Sequence, residues 1–203
     1  MKVEIFTNQV GGGWHPEDIT NFLGGNEESV LLFSEALARQ RKDTEIIIYT
    51  TLRIDGEIYK SKGVTWKHIK AFQIDDEHDV LITMKDRQLW FRGVEANLKI
   101  HWSNDVEPPW ATGILNHIDH FICIGTYHRD RLPWLPEEKI TYIPLGMDMR
   151  PFKNCKVERD NDLAIYISSP DRGLETLLAD WPMIKQARPN LKLYVSYGWT
   201  NLD

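Results

Sequence analysis

Short runs of β-branched and aromatic residues alternate with stretches of helical periodicity along most of the chain: KVEIFT (2–7), EIIIYTT (45–51), DVLITM (79–84), LKIHWS (98–103), HFICIG (120–125) and KITYIPL (139–145). This alternation predicts an α/β fold built from βαβ units around a parallel sheet. Asn26 is placed to cap a first helix in which Val30, Phe33 and Leu37 share one face. Further helices are expected over 87–96, 111–118 and, shorter, 127–134. Residues 53–69 carry the turn signals DGE and KSKG and read as a hairpin or short edge strands. Six or seven strands complete a Rossmann-like, doubly wound domain over residues 1–150. The polar stretch 151–161 reads as a linker. A new cycle then begins over 162–203, with strand LAIYISS (163–169), a helix over 173–186 and strand LKLYVSYGW (191–199). It is either an appendage to the first sheet or the opening β-α-β of a second Rossmann-like domain.

Composition narrows the function classes. A chain of 203 residues, 42% hydrophobic and 27% charged, has ample material for a core. A formal charge of −6 and the lack of any Lys/Arg run argue against nucleic acid as a partner. Eight tryptophans is a high count, which suits clefts for flat or sugar-like ligands, although packing accounts for most of them. Cys123 lies in an apolar run and Cys155 in a polar one, forming neither a CxxC pair nor a disulfide framework. With no signal peptide or membrane-spanning run, the expected location is cytoplasmic. A peripheral membrane contact stays open, although no basic amphipathic helix advertises one.

Glycines before a helix permit two readings, a sharp turn or a bare backbone against which a ligand lies. Gly24 and Gly25 pose that choice. They open LGGNEESVLLFSEALARQ (23–40), which resembles the glycine-rich loop and following helix of the group-1 (family 4) glycosyltransferases of the GT-B fold. Three further stretches share the resemblance in the same order. LKIHWSND (98–105) is similar to a strand ending in His-Asp, with Asn104 where His is frequent. DHFICIGTYHRDRLPWLPEEKITYIPLGMD (119–148) is similar to the strand, turn, helix and Pro-containing loop that lead to Asn-Gly-Ile-Asp, with Leu145 in place of Asn. YISSPDRGLETLLADWPMIKQARPNLKLYVSYGW (166–199) looks like the first β-α-β of the donor-side domain.

The resemblance implies transfer of a sugar from a nucleotide-sugar donor to a carbohydrate or glycolipid acceptor, with retention and without a metal or other cofactor. The leaving diphosphate gains charge, so donors and cations must face it. Gly24 and Gly25 are then expected to offer backbone from one wall of a cleft, and Arg172, with Gly173 and Ser169, to approach from the other. Asn104 and Asp105 follow a strand and are the expected catalytic residues, Asp105 binding a hydroxyl or acting as a base. Thr126 and Tyr127 are acceptor-side candidates, and Gly146 and Asp148 are expected to shape a hinge-side loop.

Plainer readings stand beside these. Arg172 can pair with Asp171 or Glu175, Asp105 can cap the helix that follows it, and Thr126 can cap its own. The run DDEHD (75–79) precedes a strand rather than following one and reads as a solvated loop, not as GT-A metal ligands. His117 and His120 have i,i+3 spacing but no evident third ligand. Family members continue with more of a donor domain, including a Glu-x7-Glu pair. Glu27 and Glu35 have that spacing by chance, on the wrong helix. The expectation is therefore a chain complete in its acceptor-side domain and cut short on the donor side. Its alternatives are a non-catalytic domain that binds carbohydrate or a partner, and an unrelated Rossmann-like nucleotide-binding protein.

Overall fold

A computed structural model of the chain describes residues 1–7, 13–20, 23–53, 56, 58–105, 109–146, 148–154 and 156–196. Cys155 and the end of the last expected strand, from 197 onward, lie outside the described residues. The chain divides into two compact units, Met1–Asp148 and Met149–Asp203.

The first unit is built on an eight-stranded sheet. Its strands are β1 (Lys2–Thr7), β2 (Glu45–Thr50), β3 (Ile58–Ser61), β4 (Val64–His68), β5 (Val80–Met84), β6 (Leu98–Trp102), β7 (His120–Cys123) and β8 (Ile140–Tyr142). Their spatial order is β3-β4-β2-β1-β5-β6-β7-β8. All neighbours are parallel except the edge pair β3 and β4. The expected hairpin is this edge pair. Its tight turn places Lys62 at φ 49° and Gly63 at φ 83°, the two left-handed residues that a twisted two-residue hairpin loop demands.

Parallel strands need cover on both faces, and residue alternation supplies it. From β1, Val3 and Ile5 pack with Ile46, Ile48, Trp66, Met84 and Trp102 under helix α1 (Gly25–Gln40), whose Val30, Leu31 and Ala38 complete that layer. Phe6 points the other way, among Ile47, Leu81, Trp90, Ile114, Phe121, Leu132 and Leu135. Trp14, Trp66, Trp90 and Trp102 are all buried, so packing does account for half of the tryptophans.

The second face is covered by shorter pieces than the periodicity predicts. In place of helices over 87–96, 111–118 and 127–134 stand α2 (Gln88–Phe91), a 3₁₀ segment at Pro109–Asn116 and α3 (Thr126–Asp130). Gly93 at φ 80° takes the chain out of α2. Pro109 and Gly113 disfavour a regular helix in the next segment, and Pro133 and Pro136 follow α3 closely.

Two other local expectations need correction. Asn26 does not cap α1: the cap position is Gly24, and Asn26 lies inside the first turn. The DDEHD run is not wholly solvated, because His78 is buried. Its Nδ1 lies 2.6 Å from Glu4 Oε2 and its Nε2 3.1 Å from the Gln73 carbonyl, with the ring stacked on Phe72. Tyr49 donates to the other oxygen of Glu4 at 3.1 Å, and Lys2 Nζ stands 3.1 Å from the carboxylate. Burial and the Glu4 charge raise the Tyr49 pKa well above its ordinary value. Buried polar groups are tolerated when they satisfy one another, as this cluster does.

The second unit contains β9 (Leu163–Tyr166), a 3₁₀ turn at Pro170–Arg172, α4 (Leu174–Ala187) and β10 (Lys192–Val195), with β9 and β10 parallel. Among the described residues, no helix is long and apolar enough to cross a membrane.

Candidate functional site

In the first sheet the chain runs from β1 to β2 and on to the edge pair β3 and β4 on one side, then returns to β5 and runs outward through β6, β7 and β8 on the opposite side. The strand order therefore reverses between β1 and β5. In open α/β sheets, ligands bind beyond the carboxyl ends of the strands at such a reversal. The residues just past β5 and β6, and the start of α1, occupy this edge.

One side-chain bond gathers the first of them. Asn104, past the end of β6, donates Nδ2 to Asn26 Oδ1 at 2.8 Å, joining the post-β6 loop to the first turn of α1. Gly24 and Gly25 open that turn. Neither is required by its backbone: Gly24 is extended at φ −66° and ψ 156°, and Gly25 is helical. Their surroundings differ. A Cβ on Gly24 would run into Glu27 Oε2, whereas Gly25 has open space where a Cβ would stand. Glu27, three residues past the cap, places its carboxylate beside Gly24. The chain's own anion thus covers one of the two glycines.

Asp105 is held by its main chain and exposes its carboxylate. Its carbonyl accepts from Ser103 Oγ and from His128 Nε2, each at 2.8 Å, and its N–H reaches Ser103 Oγ at 3.3 Å. His128 is buried, and its Nδ1 accepts from the Ile124 N–H at 3.4 Å, which leaves the ring proton on Nε2 for Asp105. The Asp105 side chain is 68% exposed and lies 3.4 Å from Lys85 Nζ. Lys85 directly follows β5 and has φ 65°. A left-handed backbone is uncommon for a residue with a Cβ and recurs at functional sites. The sequence by itself does not single out Lys85, Ser103 or His128. Lys85 and Ser103 stand at the ends of correctly expected strands, so the carboxyl-edge rule alone would have found them.

Three buried polar atoms on this side have no hydrogen-bond partner among the described residues: Thr7 Oγ1, Trp102 Nε1 and Asn104 Oδ1. Thr7 pairs with Met84 and Met84 with Trp102, so the first two share one row across the sheet. Alternation from Val3 and Ile5 turns Thr7 toward α1, and Trp102 meets Phe33 of α1 edge-on at 5.3 Å. Leaving such a group unpaired costs about 1–3 kcal/mol each. On the opposite face, Thr83 Oγ1 accepts from Trp90 Nε1 at 2.7 Å and lies 2.8 Å from His101 Nδ1. Complete burial drives the His101 pKa down to about 3, with the Arg87 charge a lesser cause.

Thr126 is the first residue of α3 but not its cap, which is Gly125. Tyr127 is exposed, and its hydroxyl accepts from Arg131 Nη2 at 2.6 Å and Nε at 3.1 Å. In the second unit, Ser169 precedes the 3₁₀ turn and its carbonyl accepts from the Tyr166 hydroxyl at 2.7 Å. Arg172 ends that turn, exposed; among the described residues it makes no ion pair with Asp171 or Glu175. Gly173 adopts φ 100° between the turn and α4, a conformation that favours glycine. Glu35, the other half of the fortuitous Glu-x7-Glu spacing, is buried and bonded to Lys62 Nζ at 2.8 Å and 3.0 Å. His117 packs edge-on to Phe91. Among the described residues no group of three or more His, Cys, Asp and Glu side chains is placed to hold a metal ion. Compared with known proteins, the chain matches no protein-family model and no curated protein.

Proposed function

We propose that this chain is a sugar-nucleotide-dependent glycosyltransferase of GT-B type, with its acceptor-side chemistry at the carboxyl edge of the first sheet. The observation that carries the reading is the bond between Asn104 and Asn26. It brings two stretches that resemble the family, far apart in sequence, to one place beside the strand-order reversal. In this reading Gly25 presents backbone to the donor or the reacting sugar, and Asp105 takes the acceptor hydroxyl. Ser169, Arg172 and Gly173 serve the diphosphate, where a planar guanidinium and a backbone free of side chain suit phosphate oxygens. Thr126 and Tyr127 flank the acceptor. Retention of configuration, the absence of any metal requirement and a cytoplasmic location belong to the same proposal and rest on the resemblance.

A second reading is favoured by one specific feature. The Glu27 carboxylate lies over Gly24, where a phosphate oxygen would approach, and this suits a domain that binds a neutral carbohydrate or a partner without turnover. Calorimetric titration with UDP- and GDP-linked sugars, together with assays of their hydrolysis, separates the two. The transferase reading expects micromolar to millimolar binding that Arg172→Ala abolishes. An absence of binding at millimolar concentration supports the non-catalytic domain.

A further inference from the structure

We infer that Lys85 and Asp105 form a paired-charge clamp for a neutral, polyhydroxylated ligand, the sugar-like acceptor of the site described above. The inference rests on the transferase reading only for the word acceptor; the clamp itself is argued from geometry. Lys85 directly follows β5 and Asp105 stands three residues past the end of β6, adjacent parallel strands whose last residues, Met84 and Trp102, pair. Their charged groups stand 3.4 Å apart, 36% and 68% exposed. Exposed ion pairs contribute little to stability, so the pair does not explain why a non-glycine residue with φ 65° stands at this corner. Asp105 is also unusual in how it is held. Ser103 and His128 fix its main chain while its carboxylate faces solvent, an arrangement suited to presenting a carboxylate and not to burying one.

The ligand class follows from the groups left over. An ammonium has three donors and a carboxylate about four acceptor positions, and their mutual contact uses one of each. A hydroxyl can donate to the carboxylate and accept from the ammonium at once, and a vicinal diol can do so twice. An anion would gain Lys85 but face Asp105, with Glu27 and Glu28 in the first turn of α1, which Asn26 ties to the residue preceding Asp105. A cation would gain Asp105 but face Lys85. A ligand without net charge that both donates and accepts, as a polyol does, avoids either conflict.

The test is an amide correlation map of the full chain titrated with methyl α-glucopyranoside, methyl α-mannopyranoside, methyl β-galactopyranoside and myo-inositol, and separately with inorganic pyrophosphate. At least one neutral probe should give saturable shifts at the amides of Lys85 and Asp105 at millimolar concentration. Lys85→Met and Asp105→Asn should each weaken that binding tenfold or more and leave the rest of the spectrum unchanged. Silence from all four neutral probes, shifts that survive both substitutions, or pyrophosphate saturating the same amides would overturn the inference. Neutral-probe binding here without any sugar-nucleotide binding leaves the clamp standing and removes the transferase reading. Sugar-nucleotide binding with the neutral panel silent does the reverse.

Discussion

The side-chain amide of Asn104 donates to Asn26 Oδ1 across 2.8 Å, fastening the loop after a central strand to the first turn of the helix that begins with Gly25. The bond fixes where the start of α1 lies relative to the carboxyl edge, and everything proposed for that edge depends on it. A double-mutant cycle of Asn26→Ala and Asn104→Ala, followed by chemical denaturation, should give a coupling energy of about 1 kcal/mol. A coupling indistinguishable from zero would mean that the contact holds nothing.

Gly25 and Gly173 should respond oppositely to alanine. Gly25 is helical with open space around its Cβ position, so Gly25→Ala should leave stability unchanged or raise it by up to about 1 kcal/mol. If a ligand lies against that backbone, the same change weakens sugar-nucleotide binding about tenfold, or about 1.4 kcal/mol. Gly173 has φ 100°, and Gly173→Ala should destabilise the second unit by about 1–2 kcal/mol. Denaturation and calorimetry on the two variants check both halves.

Removal of the Glu27 charge should improve anion binding. Its carboxylate covers Gly24 at the positive end of α1. Glu27→Gln should raise sugar-nucleotide affinity a few-fold at low salt, with the gain shrinking as salt screens it. It should also lower stability by about 0.3–1 kcal/mol, because a favourable charge leaves the helix start. Equal affinity in both proteins at low salt would place the diphosphate elsewhere.

His101 makes stability depend on pH in a definite direction. Burial pushes its pKa from the ordinary value of 6.5 down to about 3, so the ring stays neutral in the fold. Between those values the unfolded chain binds the extra proton. Stability therefore falls as pH drops from 6.5 toward 3, with a slope of at most about 1.4 kcal/mol per pH unit from this residue. Denaturation midpoints for wild type and His101→Gln across that range should converge toward low pH. Parallel curves would contradict the buried neutral state.

The strands were legible because a parallel sheet buried on both faces writes itself as short apolar runs, and β1, β2 and β5 to β8 fall within the runs expected for them. The helices were less so. The stretch 87–96 carries helical spacing, yet Gly93 adopts a left-handed turn that ends α2 early, and the spacing alone does not reveal it. The cap of α1 is Gly24, two residues before Asn26, since glycine also serves at that position and leaves no side-chain signal. His78 within DDEHD looked solvated because its partner, Glu4, lies on another strand that only the tertiary fold brings near. The same applies to His128 and its grip on Asp105. Long-range polar pairs leave no local pattern, whereas residues at strand ends, such as Lys85, Asn104 and Asp105, follow from the strand positions.

The most direct measurement is an amide shift map of the intact chain titrated with a sugar nucleotide that binds it. The account predicts saturable shifts at Gly25, Asn26 and Asn104, where the start of α1 meets the loop after β6. Shifts clustered instead around Glu4, Tyr49 and His78 would contradict it.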